Sequence, residues 1–197
     1  MPQDPGSTRI GRPRSEESRA AILDATWRLL KTTTLRDLSI EAIARESGVG
    51  KTTIYRWWPS KVAVVIDAFL ANALLATPYP ERSSSIEAIT QQMASLVQAL
   101  SGEYGHILAQ IIAEGQANPD ALDSYRNHFV NHRRAEVKAI IQRGIENGEF
   151  TPGLDPDLAI DILYGPIYYR LLVGHLPLDQ QFAKELPEWA MKALKPT

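Results

Sequence analysis

The sequence predicts an all-α fold of about nine helices. Apolar residues recur at spacings of three and four along most of the chain, and capping residues or Pro and Gly separate these runs. Sustained alternation of apolar and polar residues, backed by β-branched side chains, is found in no segment, so no strand is predicted. Apolar residues make up 44% of the 197 positions, which is enough to fill a globular core.

Residues 1–76 predict an N-terminal arm followed by four helices. Residues 1–14 are rich in Pro, Gly and Arg, a composition typical of a mobile arm. The first helix carries Leu23, Trp27 and Leu30 on one face, and three threonines from Thr32 onwards end it. The other boundaries of these four helices fall at capping, helix-starting or helix-ending residues, which are Ser15, Ser39, Gly48, Lys51, Pro59, Ser60 and Ala76.

Residues 84–197 predict five more helices. Ser84 and Glu87 have the spacing of a capping box before the fifth helix. A capping residue followed by Pro predicts the start of the seventh helix at Asn118 and of the eighth at Asp155. The remaining boundaries are predicted at Gly102, Asn147, Leu172, Asp179 and Leu194.

The net charge of −2 conceals an uneven distribution of charge along the chain. Residues 1–61 hold 11 basic and 7 acidic side chains, a net charge of +4, whereas the remainder holds 10 basic and 16 acidic ones, a net charge of −6. A basic N-terminal part on an acidic body is typical of a polyanion-binding module joined to a different function. The alternative is that the charges are unevenly distributed by chance, since a net charge of +4 over 61 residues is modest.

Several functional classes are excluded or disfavoured by what the sequence lacks. Without Cys there is no disulfide framework, Cys-ligated zinc or thiol nucleophile. The longest apolar stretch, 62–76, is interrupted and too short to span a bilayer, and the N-terminus has no signal-peptide core, so we expect a soluble, cytoplasmic protein with no membrane partner.

An enzyme is also disfavoured. His128 and His132 stand four apart on a predicted helix, but Arg133 and Arg134 follow and would repel a metal cation. No phosphate-binding loop, dinucleotide fingerprint or nucleophile elbow is found. We therefore predict no catalytic residue, no metal and no cofactor.

Residues 39–61 have the layout of a helix-turn-helix, with two short helices joined through Gly48-Val49-Gly50. Ala44 is small enough for the helices to cross closely, and Gly48 stands where the turn requires a positive φ. Val49 and Ile54 are apolar and would fill the space between the helices. This combination of spacings is moderately specific for the motif.

The second helix of this motif has two unlike faces. Ile54 and Trp58 are expected to face the core, whereas Thr52, Tyr55 and Arg56 are expected to face outwards, with Lys51 one turn before Tyr55. These outward residues can donate hydrogen bonds to phosphates or to base edges, as a helix in the major groove must. The alternative is an ordinary solvated polar face.

The order and spacing of these residues resemble the DNA-binding head of the TetR family of bacterial transcriptional regulators. The resemblance covers about residues 15–65, a third of the chain, and beyond them it depends on length and helical layout alone. Thr32 to Thr34 and Trp58 depart from the family pattern. The segments that carry the resemblance are Ile22-Leu23-Asp24-Ala25, Ser39-Ile40-Glu41-Ala42-Ile43-Ala44, Gly48-Val49, Ile54-Tyr55-Arg56-Trp57-Trp58 and Ser60-Lys61.

The resemblance implies a set of DNA contacts. Tyr55 and Trp57 would touch the phosphate backbone, although core packing is the alternative for Trp57. Ser39 and Lys61 would contact phosphates at the starts of the second and fourth helices. Arg12 and Arg14 in the arm would enter the minor groove, unless the arm is only a solvated tail. The residues implied to face the major groove are Lys51, Thr52, Thr53 and Arg56.

The apolar pattern of the last two helices indicates a homodimer. The eighth helix is apolar on more than one face, so one face is expected to pack on the core and the other on a partner. The resemblance implies a four-helix bundle across a two-fold axis, and the alternative is a well-buried monomer core. The candidate interface residues are Leu158, Ile162, Gly165, Tyr169, Leu172, Phe182, Leu186 and Trp189.

A ligand pocket is implied by the resemblance rather than by the apolar pattern, because for each candidate residue taken singly a position in an ordinary core is the better expectation. A mostly apolar pocket would take a small lipophilic or aromatic effector. The candidate lining residues are Phe69, Met93, Val97, Leu108, Ile111, Ile112, Tyr125, Phe129, Tyr164 and Tyr168.

Together these features predict three regions: a flexible basic arm (1–14), a helix-turn-helix DNA-binding domain (15–61) and a helical effector-binding and dimerisation domain (62–197). The predicted function is transcriptional regulation, with repression of a near-palindromic double-stranded DNA operator that the effector relieves through the fourth helix. The alternative is a DNA-binding regulator that has no small-molecule ligand and is controlled by a protein partner.

Overall fold

The computed structural model describes residues 11–76 and 84–195, and for residues 11–14 and 73–76 it describes the backbone alone. Within these ranges the chain forms nine helices and no strand, which confirms the predicted all-α class. The chain divides between Ala68 and Phe69 into two compact units, here called unit 1 and unit 2. This division lies within the fourth helix, whereas the sequence placed the domain boundary at residue 61.

Unit 1 contains the helices α1 (Gly11–Leu30), α2 (Ile40–Ser47), α3 (Lys51–Trp57) and the first half of α4 (Lys61–Ala76). Its core is made of large apolar side chains from all four helices, including Ile22, Leu30, Ile43, Ile54 and Val65. Helix α2 packs against α1 and α3, so the short helices of the predicted motif share one core with the first helix.

Helix α1 begins at Gly11, before the predicted start at Ser15. Residues 11–14 of the predicted arm are therefore helical, and Pro13 is compatible with this because the first turn of a helix has no internal partner for its N–H groups. The side chains of Arg12 and Arg14, and all of residues 1–10, lie outside the described part, so the predicted minor-groove contacts of the arm remain predictions.

Unit 2 contains α5 (Ser85–Leu100), α6 (Glu103–Ala117), the long helix α7, α8 (Pro156–Val173) and α9 (Gln180–Lys192). Helix α7 consists of the contiguous segments Pro119–Tyr125, Arg126–Val130 and Asn131–Glu146, of which the second is a π-helical turn that the sequence did not predict. Helix α5 packs on α7 and α9, and α7 packs on α8.

The capping residues of unit 2 act as predicted. Ser84 and Glu87 form both hydrogen bonds of the capping box at the start of α5, and Asn118, Asp155 and Asp179 each accept a hydrogen bond from a backbone amide of the helix that follows. These caps satisfy amides that the helices themselves cannot. Among the described residues, no helix is both long and apolar enough to cross a membrane.

The end of α7 approaches the start of α5 closely. The Cβ of any residue at position 144 other than Gly would lie 2.4 Å from the ring of Phe150, which is fully buried. The chain then returns so that the carboxylate of Glu149 accepts hydrogen bonds from the amides of Ser85 and Ile86, both at 3.1 Å. Burial opposes the charge of Glu149, but these hydrogen bonds outweigh it and hold its pKa below the ordinary value.

Candidate nucleic-acid interface and ligand cavity

Helices α2 and α3 form a helix-turn-helix whose turn is fixed by local hydrogen bonds. The Oγ of Ser39 caps α2 by accepting a hydrogen bond from the amide of Ala42 at 3.1 Å. Helix α2 ends at Gly48, which has a φ of 69°, in the left-handed region that Gly adopts without strain. The amide of Val49 donates to the Oγ of Ser47 at 3.3 Å, and α3 begins two residues later.

The inner face of α3 is anchored in the core of unit 1. Ile54 is fully buried and Trp58 nearly so. The indole Nε1 of Trp58 donates to the Oδ2 of Asp67 at 2.8 Å, and the same oxygen pairs with Arg19 at 3.2 Å. The guanidinium of Arg19 also lies 5.8 Å from the centre of the Trp58 ring. This arrangement ties the end of α3 to α1 and α4, and the sequence did not reveal it because its partners are far apart in the chain.

The outer face of α3 presents polar side chains to solvent, as predicted. Lys51, Thr52 and Arg56 are exposed, Thr53 is half-buried, and 54% of Tyr55 is accessible. A helix with one buried face and an opposite face of Lys, Thr, Tyr and Arg has the side chains that major-groove recognition requires.

Lys51 is paired with an acidic neighbour on the preceding helix. Its Nζ lies 3.0 Å from Oε1 of Glu41, in the first turn of α2. The hydrogen bond between them lowers the pKa of Glu41 and raises the pKa of Lys51, so both groups are charged at neutral pH. Sequence patterning alone did not identify Glu41 as part of this surface.

Two of the predicted phosphate ligands have other partners or orientations in this structure. Trp57 is half-buried, its Nε1 is enclosed without a hydrogen-bond partner, and its ring lies 6.2 Å from that of Trp58. The Nζ of Lys61 donates to the carbonyl oxygen of Arg36 at 3.0 Å. A phosphate contact by the enclosed Nε1 of Trp57 therefore requires a local rearrangement, whereas the ammonium of Lys61 has two further donors.

Unit 2 contains a cavity of about 310 Å³ between α5, α7 and α8. Four predicted pocket residues line it: Tyr125, Phe129, Tyr164 and Tyr168. The π-helical turn supplies Phe129 and Val130, so this irregular segment of α7 forms part of the wall. The lining residues that the sequence did not identify are Gln92, Leu96, Val130, Arg133, Arg134, Val137, Ile160, Asp161 and Gly165.

The other six predicted pocket residues do not line this cavity. Phe69 packs edge-on against the lining residue Phe129, with ring centres 5.8 Å apart, but does not itself line the cavity. Val97 borders a second, more polar groove between α5 and α9. Met93, Leu108 and Ile111 are fully buried in the core, and Ile112 is half-buried. Core and cavity residues share the same helical spacing, and therefore the sequence could not separate them.

The polar groups in the cavity differ in how well they are partnered. The hydroxyl of Tyr164 donates to Oε1 of Gln92 at 2.7 Å, and both side chains are buried. The hydroxyl of Tyr125 is buried with no hydrogen-bond partner among the described residues. Burial, together with the nearby Tyr168 hydroxyl, raises the pKa of Tyr125 well above its ordinary value. Tyr125 is therefore a neutral phenol at physiological pH.

The predicted dimer surface is largely exposed in the single chain. Large apolar side chains on α8 and α9 face solvent, with 57% of Leu158 and 66% of Trp189 accessible. Gly165 is exposed and Leu186 half-buried, whereas Phe182 is buried beneath the guanidinium of Arg170, 3.6 Å from its ring centre. The other exposed apolar residues on this surface are Ile162, Tyr169, Leu172, Val173 and Leu176.

The histidines of α7 have local partners. The Nδ1 of His128 lies 2.8 Å from the carbonyl oxygen of Ser124, and the Nε2 of His132 lies 3.6 Å from Glu136. Within residues 11–76 and 84–195, no three His, Asp or Glu side chains are grouped as metal ligands would be.

Comparison with known proteins assigns a family model to each part of the chain. Residues 22–68 match the model described as bacterial regulatory proteins, tetR family. Residues 79–188, more than half of the chain, match the model described as tetracyclin repressor-like, C-terminal domain. The first match covers the helix-turn-helix, and the second covers the helices that form the cavity and most of the exposed apolar surface.

Individual relatives are similar over nearly their whole lengths. YdeS of Bacillus subtilis (strain 168), described as an uncharacterized HTH-type transcriptional regulator, is 34% identical over 187 residues, which are 95% of this chain and 94% of that one. The crystal structure of the TetR family transcription regulator SCO0332 superposes with a TM-score of 0.78 at 30% identity and covers 91% of this chain and 100% of that one.

A more distant structure is similar in fold alone. FadR from Bacillus subtilis, crystallised in complex with stearoyl-CoA, superposes with a TM-score of 0.68 at 17% identity, and the match covers 87% of this chain and 97% of that one.

Proposed function

Because the chain belongs to the TetR family of bacterial regulatory proteins, we propose that it is a homodimeric repressor that a small lipophilic ligand releases from a near-palindromic DNA operator. The observation that carries this proposal is the outer face of α3, where Lys51, Thr52, Tyr55 and Arg56 are exposed on a helix whose inner face is buried. The coarser statement, that the chain is a transcriptional regulator, follows from family membership.

The DNA-binding part of the proposal assigns α3 to the major groove. Arg56 is exposed and can donate two parallel hydrogen bonds to a guanine edge, and Thr52 can contact either a base or a phosphate. Lys51 would exchange its pairing with Glu41 for a phosphate. Such contacts release counterions, so the affinity for DNA should fall as salt rises.

The dimeric part of the proposal is supported by the exposed apolar surface on α8 and α9. Contiguous apolar surface of this kind is uncommon on a monomer and typical of an interface. Leu158, Ile162, Tyr169 and Leu172 recur at spacings of four, seven and three along α8, so they lie on one side of the helix. Two copies related by a two-fold axis would read two half-sites about one DNA turn or a multiple of it apart.

The ligand-responsive part of the proposal is supported by the cavity in unit 2. A regulator controlled only by a protein partner has no need of an apolar cavity of about 310 Å³ that contains a buried polar group. Helix α4 continues from unit 1 into unit 2, which supports a ligand effect carried along this helix. The size of that effect is limited by the ligand's differential affinity for the two states.

Fluorescence anisotropy with labelled DNA from upstream of the protein's own gene tests the proposal. We expect binding that withstands scrambled competitor DNA, fits two chains per site and weakens between two salt concentrations. Binding that is equally tight for scrambled DNA would contradict an operator-specific regulator. A stoichiometry of one chain per site would contradict the dimer.

A further inference from the structure

The cavity in unit 2 contains a hydrogen-bond donor that the protein leaves without an acceptor. Only 3% of Tyr125 is accessible, and its hydroxyl is fully enclosed. The neighbouring hydroxyl of Tyr168 interacts with it electrostatically, but the two are not in good hydrogen-bonding geometry, and no other described residue accepts from it. Burying a hydroxyl without an acceptor is unfavourable, so a position of this kind in a cavity indicates a group that a ligand satisfies.

Apart from Tyr168, the other polar side chains of the cavity have partners within the protein. The Tyr164 hydroxyl is bound to Gln92, as described above. Arg133 pairs with Glu136 at 2.8 Å, and Arg134 pairs with Asp161 at 2.7 Å. Because a carboxylate neutralises each arginine, the cavity does not require an anionic ligand.

The protonation of Tyr125 determines which partner it can take. Burial and the neighbouring Tyr168 raise its pKa, so the phenol keeps its proton at neutral pH and acts as a donor. The hydroxyl of Tyr168, whose pKa is also raised by burial, lines the same cavity. A ligand with a hydrogen-bond acceptor therefore matches this end of the cavity better than one that carries only donors.

The walls of the cavity are apolar and partly aromatic. Leu96, Val130, Val137 and Ile160 line it, and the ring of Phe129 stacks on that of Tyr125 with centres 5.6 Å apart. Its volume of 310 Å³ equals that of about ten water molecules in the liquid, so the occupant has on the order of ten to fifteen non-hydrogen atoms.

We propose that this cavity binds an uncharged, mainly apolar ring compound whose carbonyl or ether oxygen accepts a hydrogen bond from Tyr125. The proposal rests on the proposed function in so far as this compound would be the effector. It names Tyr125 as the residue that discriminates between ligands, and Phe129 as the aromatic surface against which the ring stacks.

Isothermal titration of the full-length protein with three bicyclic probes tests this proposal. The probes are 1-tetralone, which has a carbonyl acceptor, tetralin, which has none, and 1-naphthoate, which is anionic. We expect 1-tetralone to bind about tenfold more tightly than tetralin, because it satisfies the buried hydroxyl. We expect Tyr125→Phe to abolish that difference without weakening tetralin.

Tyr104→Phe is the matched control, because it removes a tyrosine hydroxyl on α6 that does not line the cavity. It should keep the tenfold preference for 1-tetralone. Equal affinities of the wild-type protein for 1-tetralone and tetralin, a preference that persists in Tyr125→Phe, or no binding of either probe would each overturn the proposal. Tighter binding of 1-naphthoate than of 1-tetralone would overturn it as well.

DNA binding is measured separately on the same preparations, so the two proposals can fail independently. Specific operator binding by a protein that does not discriminate between the probes would refute the ligand assignment and leave the regulator intact. Discrimination between the probes by a protein without specific DNA binding would refute the proposed function alone.

Discussion

Lys51 is a residue on α3 whose availability for a DNA contact is limited by an ion pair with another side chain. Its partner Glu41 lies 3.0 Å away, and a DNA phosphate would have to displace this carboxylate. Glu41 also repels an approaching phosphate directly. We expect Glu41→Gln to raise operator affinity about two- to fivefold, the range typical of an exposed ion pair, in anisotropy titrations at low salt.

The same substitution in a Lys51→Ala background separates the two effects of Glu41. If the carboxylate acts by occupying Lys51, the gain from Glu41→Gln should disappear in this background. A gain of equal size in both backgrounds would show that Glu41 acts by repulsion alone.

Arg56 is the exposed side chain of α3 best suited to reading a base. Arg56→Ala should weaken operator binding about 5- to 150-fold and reduce the discrimination against scrambled DNA, because bidentate contacts to guanine carry specificity. Arg126→Ala, an exposed substitution in unit 2 with the same change of charge, is the control and should leave binding unchanged. Equal losses in both variants would indicate a general electrostatic effect.

Two tyrosines in the cavity should respond oppositely to loss of their hydroxyls. Tyr125→Phe removes a buried donor without a partner and should stabilise the ligand-free protein by up to about 1 kcal/mol. Tyr164→Phe leaves Oε1 of Gln92 without its donor and should destabilise the protein by about 1–3 kcal/mol. Urea unfolding monitored by circular dichroism measures both changes. Destabilisation of similar size in both variants would show that the Tyr125 hydroxyl has a stabilising partner.

At the scale of elements, Glu149 holds the start of α5 from a position distant in sequence. Its pKa is depressed, so the stability it contributes is fully present above the unfolded pKa of about 4.3 and is lost as the pH falls through the folded pKa. Glu149→Gln should therefore cost about 1 kcal/mol at pH 7 and less at pH 3.

Chemical denaturation across this pH range provides the measurement for Glu149. Glu188→Gln removes an exposed carboxylate from α9 and should cost little at either pH. A cost of Glu149→Gln that does not change between pH 7 and pH 3 would contradict the role of the ionised carboxylate.

The elements with short-range signals were predictable, and those that depend on distant contacts were not. Ser39, Gly48, Ser84 and Asp155 act within three or four residues of their own positions, so their sequence context identified the helix boundaries. The link from Trp58 to Asp67 and the π-helical turn depend on tertiary packing, which no local pattern encodes.

In the candidate sites too, features set by local sequence were predictable and features set by distant contacts were not. The outward face of α3 was predictable, because a short amphipathic helix has a defined periodicity. The cavity was predictable only for its four aromatic residues, since Gln92 and Arg133 are polar side chains whose burial depends on three packed helices. Apolar residues such as Met93 and Leu108 satisfy the same pattern whether they line a space or fill it.

At the scale of the whole molecule, the proposed function makes DNA recognition depend on a dimer formed through the exposed apolar surface. Leu172→Glu introduces a charge into this surface at a residue that is half exposed in the single chain, so the helix itself should remain folded. We expect light scattering to show a shift from twice the chain mass towards the chain mass, and operator affinity to fall at least tenfold.

The control for this prediction is Gln116→Glu, which adds the same charge at an exposed position on α6. It should leave both mass and affinity unchanged. A wild-type protein that has the mass of a single chain at micromolar concentration would contradict the dimer itself.

The π-helical turn in α7 has a consequence for how such a chain tolerates insertions and deletions. Tyr125 and Val137 both line the cavity, yet in an ideal α-helix a separation of twelve residues would place them about 120° apart around the axis. The turn absorbs one residue, or about 100°, and so returns both side chains to one face. Deletion of a single codon here would preserve a continuous helix but rotate Arg133 and Val137 away from Tyr125. If the cavity holds the proposed ligand, one such deletion would alter which ligands fit, although no side chain of the cavity is replaced.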